Sequence, residues 1–171
     1  MTMPATAKVE ALIAGLLRLK GYRPVVLLEN PSRTIEQLFL AAAPDATFVY
    51  LNTSIDTAQT DAAAREAEAI MRQMPDPNQL VGLEVDGYRI GRNVLSVVTR
   101  QLRTGRLAED DPAHRQAVLR TLTRSLAVKG FVGSMLDEMA PDFAIFNERG
   151  YTPAGEVFDA CLLRGIDCIQ W

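Results

Sequence analysis

The residue types best suited to binding or catalysis fall together in one short segment, Asn147-Glu148-Arg149-Gly150-Tyr151. Arg149 supplies a planar cation that can pair with a phosphate or carboxylate through two parallel hydrogen bonds. Glu148 can accept hydrogen bonds from hydroxyl groups, and Tyr151 offers a ring face for stacking. Gly150 allows a ligand to approach the backbone closely. Together these groups are typical of a site for a saccharide or a phosphate.

If this segment takes part in catalysis, Glu148 is the candidate for its general base. The alternative interpretation is a polar loop whose side chains only satisfy neighbouring backbone groups. The residue types fit both interpretations, so the catalytic residues stay open at this point.

A strand, the polar segment, a helix and a second strand follow one another here. The apolar runs within 142–146 and 166–170 predict the strands, and the periodic segment between them predicts the helix. Two buried strands joined by a helix form a βαβ unit, so we expect parallel pairing and a right-handed crossover. Thr152 is the predicted N-cap and Pro153 the first helical residue. Glu156 is expected to place negative charge near the positive end of the helix dipole.

Two earlier apolar runs, residues 24–28 and 46–51, predict two further strands buried on both faces. Three polar residues that follow these runs are ligand-binding candidates: Glu29, Asn30 and Asn52. Ligands of open α/β sheets gather outside the carboxyl ends of parallel strands, so these residues are predicted to share one rim with residues 147–151. The alternation of strands and helices favours an α/β layer fold with a mostly parallel sheet flanked by helices.

Helical segments fill most of the remaining chain. The leucine-rich stripe of residues 6–20 predicts a helix that faces the core, and residues 56–74 predict a surface helix. A helical excursion is expected at about 92–139, and Asp86-Gly87 suggests a hairpin turn in the less readable segment 79–90. No composition change marks a boundary, so residues 1–171 are predicted to form a single domain.

Composition indicates an ordinary globular protein, since 48% of the 171 residues are hydrophobic and 23% are charged. The net charge of −3 gives no reason to expect a nucleic-acid partner. Cys161 and Cys168 are interpreted as reduced core thiols, and His114 as a solvated residue. No histidine or cysteine spacing is typical of a metal site, so no metal is expected.

Several cofactor motifs are missing from the sequence. There is no G-x-G-x-x-G, G-x-x-x-x-G-K-[ST] or G-x-S-x-G pattern, so we expect no cofactor. The first residues lack the architecture of a signal peptide, and no apolar run approaches the ~20 residues that a membrane span needs. The expected location is therefore the cytoplasm.

Arginines are concentrated in residues 89–124. Eight arginines minus three acidic residues leaves a charge of +5, whereas residues 56–86 carry seven acidic residues and two arginines, a charge of −5. One interpretation is two solvated helical faces, or a pairing of one with the other. The alternative is a basic face at 89–124 that makes peripheral contact with anionic lipid, at the inner face of the membrane.

The C-terminal segment resembles a known family. The sequence Asn147-Glu148-Arg149-Gly150-Tyr151-Thr152-Pro153-Ala154-Gly155-Glu156, followed by Arg164-Gly165-Ile166 and Trp171, is similar to part of bacterial capsular and surface-polysaccharide biosynthesis proteins. Those proteins are glycosyltransferases, or relatives of them, built from two Rossmann-like domains in the GT-B arrangement. The resemblance is good over about the last 30 residues and general, by order of elements, over the rest.

The resemblance implies that this chain corresponds to the N-terminal, acceptor-side Rossmann-like domain of such a protein. The family binds its sugar nucleotide mainly through a second, C-terminal domain, so the isolated chain is expected to be inactive in transfer. A saccharide or lipid-linked acceptor is the ligand that the family implies for this half. The alternative hypothesis is a stand-alone Rossmann-like module that binds a nucleotide or a protein partner without catalysis.

Overall fold

The computed structural model describes residues 4–171, which separate into two compact units. The first unit ends at Ser54, and the second comprises Ile55–Trp171. Both are mixtures of helices and short strands, so the predicted α/β class is confirmed.

The first unit is a strand–helix–strand motif preceded by a long helix. Its elements are α1 (Pro4–Leu19), β1 (Val25–Leu28), α2 (Arg33–Ala42), β2 (Thr47–Tyr50) and the single turn α3 (Leu51–Ser54). β1 and β2 are parallel, with Val25 opposite Thr47 and Leu28 opposite Tyr50. The two strands occur where the apolar runs predicted them, and α2 forms the crossover that parallel pairing requires.

Small residues form the contact between α1 and α2. Ala11 and Ala14 are buried with Phe39 of α2, and a Cβ atom at Gly15 would lie 3.1 Å from the carbonyl oxygen of Ala42. The helices approach so closely because their facing side chains are small. The prediction that the leucine stripe of α1 faces the core is therefore wrong, since the alanine face is the one that packs.

The second unit is dominated by helices. Its elements are α4 (Thr57–Gln73), a 3-10 helix (Pro77–Gly82), α5 (Ile90–Leu102), α6 (Pro112–Met139), β3 (Phe143–Phe146), α7 (Ala154–Leu163) and β4 (Asp167–Gln170). The helical excursion predicted at about 92–139 is confirmed as α5 and α6. Val85 and Tyr88 form an antiparallel bridge around Asp86 and Gly87, both of which have positive φ angles, so the hairpin turn is also confirmed.

The central helix α6 organises the second unit by packing against α4, α5 and α7. Val94 and Val98 of α5, with Val118 and Leu122 of α6, are completely buried between these helices. Gly91 allows α5 to approach the 3-10 helix closely, because a Cβ atom there would lie 1.5 Å from the carbonyl oxygen of Leu80. α5 and α6 also contact α7.

Strand pairing differs from the layered fold that the sequence predicts. β3 and β4 are parallel, with Phe143 opposite Asp167 and Phe146 opposite Gln170, which confirms the βαβ unit. Within residues 4–171, however, β1–β2 and β3–β4 form two separate two-stranded sheets instead of one mostly parallel sheet. Each strand has one neighbour and only four residues, which leaves side chains such as Ile169 exposed instead of buried on both faces.

Candidate functional site

The predicted binding segment lies in the loop that joins β3 to α7, at the carboxyl end of β3. Asn147, Glu148, Arg149 and Gly150 are exposed, and Tyr151 is half-buried. The structure thus brings the five predicted residues to the surface in one place, within reach of a ligand. All of them belong to the second unit.

Phe158 on α7 is the aromatic centre of this site. The Arg149 guanidinium carbon lies 4.8 Å from the centre of the Phe158 ring, and the Arg89 guanidinium carbon lies 5.7 Å from it. Phe146, the last residue of β3, meets the same ring edge-on at a centroid distance of 5.5 Å. Two cations therefore share one buried ring, which attracts each of them through its quadrupole.

A buried carboxylate fixes Arg89. Asp159 is 3% exposed and accepts hydrogen bonds from the Arg89 backbone N–H and Nε, each at 2.9 Å, and from the terminal Nη2. A planar guanidinium held at two nitrogens has little freedom to rotate. Arg89 is 39% exposed, so part of this oriented cation still faces solvent.

Arg100 on α5 covers the other end of the loop. Its guanidinium carbon lies 5.1 Å from the centre of the Tyr151 ring, and its Nη1 lies 3.7 Å from Oε1 of Glu148. Both partners in this ion pair are more than half exposed, at 68% and 54%. Arg89 and Arg100, at the two ends of α5, thus gather with Arg149 at one loop.

Beneath the loop, Glu156 is fully buried. Its Oε1 accepts hydrogen bonds from the hydroxyl groups of Ser125 on α6 and Thr152 in the loop. Burial raises the pKa of Glu156 above its ordinary value, although these hydrogen bonds act in the opposite direction. Its second oxygen, Oε2, has no hydrogen-bond partner, and neither has the buried Nδ2 atom of Asn93 on α5.

Gly155 allows Asn93 to reach this network. A Cβ atom at Gly155 would lie 2.4 Å from Cγ of Asn93, so only glycine leaves room for the amide. Asn93 is 3% exposed, and it joins α5 to the first turn of α7. Hydroxyl groups from α6 and the loop therefore bind Glu156, and the Asn93 amide of α5 packs against the first turn of α7.

The structure corrects the predicted start of α7. Pro153 occupies the N-cap position, without a side-chain cap hydrogen bond, and the helix begins at Ala154. Thr152 donates to the Glu156 carboxyl group and caps no backbone N–H. Glu156 lies in the first turn of α7, as predicted, but it is buried there, and burial favours its uncharged form.

The three other predicted ligand residues lie in the first unit. Asn52 Nδ2 donates to Asn30 Oδ1 at 2.9 Å, and the Asn52 backbone N–H donates to the Glu29 carbonyl oxygen at 3.0 Å. They cluster at the carboxyl ends of β1 and β2, as the strand pattern predicts. Because β1–β2 and β3–β4 are different sheets, the single rim predicted for all these residues is wrong.

His114, Cys161 and Cys168 are all at least partly buried within the fold. His114 is only 20% exposed and its Nδ1 accepts a hydrogen bond from the Ala108 N–H, so the prediction of a solvated residue is wrong. Cys161 is buried, and burial raises the pKa of its thiol to about 12, while Cys168 is a half-buried free thiol. Among residues 4–171, no group of three histidine, cysteine or acidic side chains could hold a metal ion, and no helix could cross a membrane.

The arginines of the predicted basic segment 89–124 make different kinds of contact. Arg89 and Arg100 belong to the site, whereas Arg115 donates to the carbonyl oxygens of Met71 and Pro75 at 3.1 and 3.5 Å. The sequence left these arginines open between solvated helical faces, a pairing with residues 56–86 and a membrane face, and it did not connect them with the loop. A signal was present in α7, where Glu156 and Asp159 interrupt an otherwise apolar helix and so demand buried partners.

Comparison with known proteins does not place the chain in a family. No protein-family model matches it, and neither a curated protein nor a solved structure shows significant similarity.

Proposed function

We propose that the loop 147–153, with Arg89, Arg100 and Phe158, binds the phosphorylated part of a saccharide. In this proposal the chain is the N-terminal, acceptor-side domain of a glycosyltransferase-like protein of surface or capsular polysaccharide biosynthesis. The observation that carries it is the gathering of three guanidinium groups around one exposed loop that also contains Glu148 and Tyr151.

The charges at the loop favour an anion. Among residues 4–171, the Arg149 guanidinium makes no hydrogen bond or ion pair, and its contact with Phe158 leaves its N–H groups available. Arg89 is oriented by Asp159 from behind, and Arg100 has only an exposed, weak pairing with Glu148. A phosphate can therefore displace Glu148 from Arg100 and gain charge-assisted hydrogen bonds from Arg149.

The rest of the loop favours a hydroxyl-rich ligand. Glu148 offers two acceptor oxygens on an exposed side chain, and the exposed Asn147 amide can both donate and accept. The half-buried Tyr151 ring provides an apolar face for a sugar ring. These groups lie on a loop that is fastened at its base by the Thr152–Glu156 hydrogen bond of 2.8 Å.

The glycosyltransferase part of the proposal rests on the sequence resemblance of the last 30 or so residues. Transfer then requires a second domain to bind the sugar nucleotide, and Glu148 is the residue that would accept the proton of the acceptor hydroxyl. An exposed carboxylate at the mouth of the site suits that role, because it can reach a bound hydroxyl without moving the backbone.

Calorimetric titration tests the binding proposal. We expect the chain to bind glucose 1-phosphate more tightly than glucose, and Arg149→Ala to weaken binding of the phosphate about tenfold, or about 1.4 kcal/mol. Arg72→Ala is the matched control, since Arg72 is an exposed arginine on α4, paired with Glu68. Equal affinity for both sugars, or equal loss in both variants, would contradict the proposal.

Thermal unfolding of the same variants separates binding from folding. Arg149→Ala should change the free energy of unfolding by no more than about 1 kcal/mol, since the residue is exposed. Phe146→Ala should cost about 3–5 kcal/mol, because Phe146 is 8% exposed and packs on Phe158. If Arg149→Ala unfolds as easily as Phe146→Ala, the arginine is structural and the site assignment is wrong.

A further inference from the structure

One face of α1 carries four apolar side chains that are exposed to solvent. Val9 is 40% exposed, Leu12 66%, Leu16 65% and Leu19 77%. At about 100° per residue these positions fall within an arc of roughly 80° on the helix, and they extend over about 15 Å of its length. We call these four residues the leucine face.

The leucine face is exposed because the opposite face of α1 is the one that packs. Ala11 and Ala14 lie in the core of the first unit, and Gly15 touches Ala42 of α2. Turning the helix would replace these small residues with leucines, although even a Cβ atom at Gly15 would already lie only 3.1 Å from the Ala42 carbonyl oxygen. Contiguous exposed apolar side chains of this kind are typical of an interaction surface.

Cations border the leucine face. Lys8 lies about 20° outside one edge of the arc and Lys20 follows the helix about 20° beyond the other edge, and both are exposed. Arg23, a few residues later, is exposed too. Glu10 is the one acidic residue of α1; it lies about 100° from the nearest edge and is half-buried.

We infer that α1 lies in the plane of an anionic lipid surface, with the leucine face among the acyl chains and Lys8 and Lys20 at the headgroups. A helix with an apolar stripe bordered by lysines is the usual form of an interfacial membrane helix. Cations near such a surface are attracted by its negative charge. The contact is independent of the saccharide site, which lies in the other unit.

The lysines argue against a second copy of this chain as the occupant. A symmetric pair would place the same surface of each copy against the other. Two leucine faces packed antiparallel would bring Lys8 of one copy towards Lys20 of the other, and α1 itself has no acidic side chain beside either edge to offset the repulsion. Anionic headgroups supply the opposite charge that this face lacks.

Co-sedimentation with vesicles tests the inference. We expect the chain to bind vesicles of phosphatidylcholine mixed with phosphatidylglycerol, and to bind pure phosphatidylcholine vesicles much more weakly. The double variant Leu12→Ser/Leu16→Ser should lose at least about tenfold in vesicle affinity, since each leucine no longer enters the bilayer. Leu162→Ser/Leu163→Ser is the matched control, because both residues are 52% exposed on α7, and it should bind like the original chain.

Further variants distinguish the possible outcomes. Lys8→Gln/Lys20→Gln should weaken binding several-fold and make it less sensitive to salt. Binding that survives the leucine changes but is lost in Arg103→Gln/Arg120→Gln would assign the contact to residues 89–124 and overturn the inference. So would sedimentation velocity showing a dimer that Leu12→Ser/Leu16→Ser dissociates while vesicle binding is unchanged, and so would absence of binding to anionic vesicles.

Discussion

The two parallel strand pairs are built from the same kinds of element, but the side chains at their carboxyl ends are very different. Each consists of two four-residue strands in parallel register, joined by a crossover helix. At the end of β1 and β2, exposed Asn30 and Asn52 make a neutral amide–amide hydrogen bond. At the end of β3 and β4, the loop is surrounded by arginines and is supported by buried Glu156 and Asp159.

Distance along the chain explains this difference. Asn30 and Asn52 belong to the same strand–helix–strand motif, so their contact is local to that motif. Arg89 reaches Asp159 across 70 residues, and Ser125 reaches Glu156 across 31. The β3–β4 end thus acquires its charge and its buried support from α5 and α6. A strand–helix–strand motif provides a rim at the carboxyl ends of its strands. The elements packed against the motif determine which side chains lie at that rim and therefore what it can bind.

The largest effect should come from removing the buried carboxylate of an arginine pair, compared with removing an exposed one in the other unit. Asp159→Ala is expected to cost about 3 kcal/mol of unfolding free energy, because it leaves Arg89 without its buried partner. Asp45→Ala should cost less than about 1 kcal/mol, because Asp45 and Arg18 form an exposed pair. Denaturant unfolding measures both. Similar losses for the two variants would remove the contrast between a buried and an exposed ion pair.

A smaller effect is expected from the glycines beside the loop. Gly155→Ala should cost about 2 kcal/mol, since the new methyl group overlaps the buried Asn93 amide. Gly150→Ala should stay within about 0.5 kcal/mol of the original chain, because nothing lies within 4 Å of the added atom. The thermal unfolding midpoints of the two variants compare them directly. A harmless Gly155→Ala would show that Asn93 can move away and that the base of the site is loose.

The smallest effect, and the most specific, concerns pH. Glu156→Gln keeps an oxygen that can accept from Ser125 and Thr152, so near pH 5 it should cost about 1 kcal/mol or less. The pKa of Glu156 is higher in the folded state than in the unfolded chain. At pH values between these two pKa values, the unfolded chain releases the proton of Glu156 while the folded chain retains it. The original protein therefore loses stability as pH rises through that window, and the glutamine variant does not.

Unfolding midpoints between pH 5 and pH 8 provide the measurement. As pH rises, the unfolding midpoint of Glu156→Gln should increase relative to that of the original protein. Glu138→Gln, at an exposed position on α6, controls for removal of one negative charge. A constant difference, or one that moves in favour of the original protein, would mean that Glu156 is held ionised by its neighbours.

Local sequence signals predicted most of the secondary structure. The four strands, the crossover helix α7, α5 and α6, and the turn at Asp86-Gly87 all occur where apolar period and glycine placement indicated. These signals succeed because they reflect constraints within a few residues, such as positive φ angles or the alternation of side chains. The parallel pairing of β3 with β4 followed for the same reason, since a helical crossover permits little else.

Long-range packing could not be predicted in the same way. The leucine stripe of α1 suggested the buried face, but the alanines and Gly15 match the surface of α2. Leucine is more apolar than alanine, yet close helix packing selects for shape as well as hydrophobicity. Likewise, nothing near Arg89 or Arg100 in the sequence points to Phe158 or Tyr151. The five loop residues were predicted from their types, and the partners that orient them were missed.

The 70-residue span between Arg89 and Asp159 also has a consequence for biosynthesis. A ribosome adds about 5–20 residues per second, so roughly 4–14 s separate the synthesis of these two residues. During that interval α5 and α6 are synthesised, but two carboxylates are still missing. These are Asp159, which orients Arg89, and Glu156, which accepts from Ser125. The loop 147–153 is thus translated after both helices that supply its neighbouring cations and its buried hydroxyl partner, and a chain interrupted before α7 would present an unassembled cationic surface to the cell's quality-control machinery.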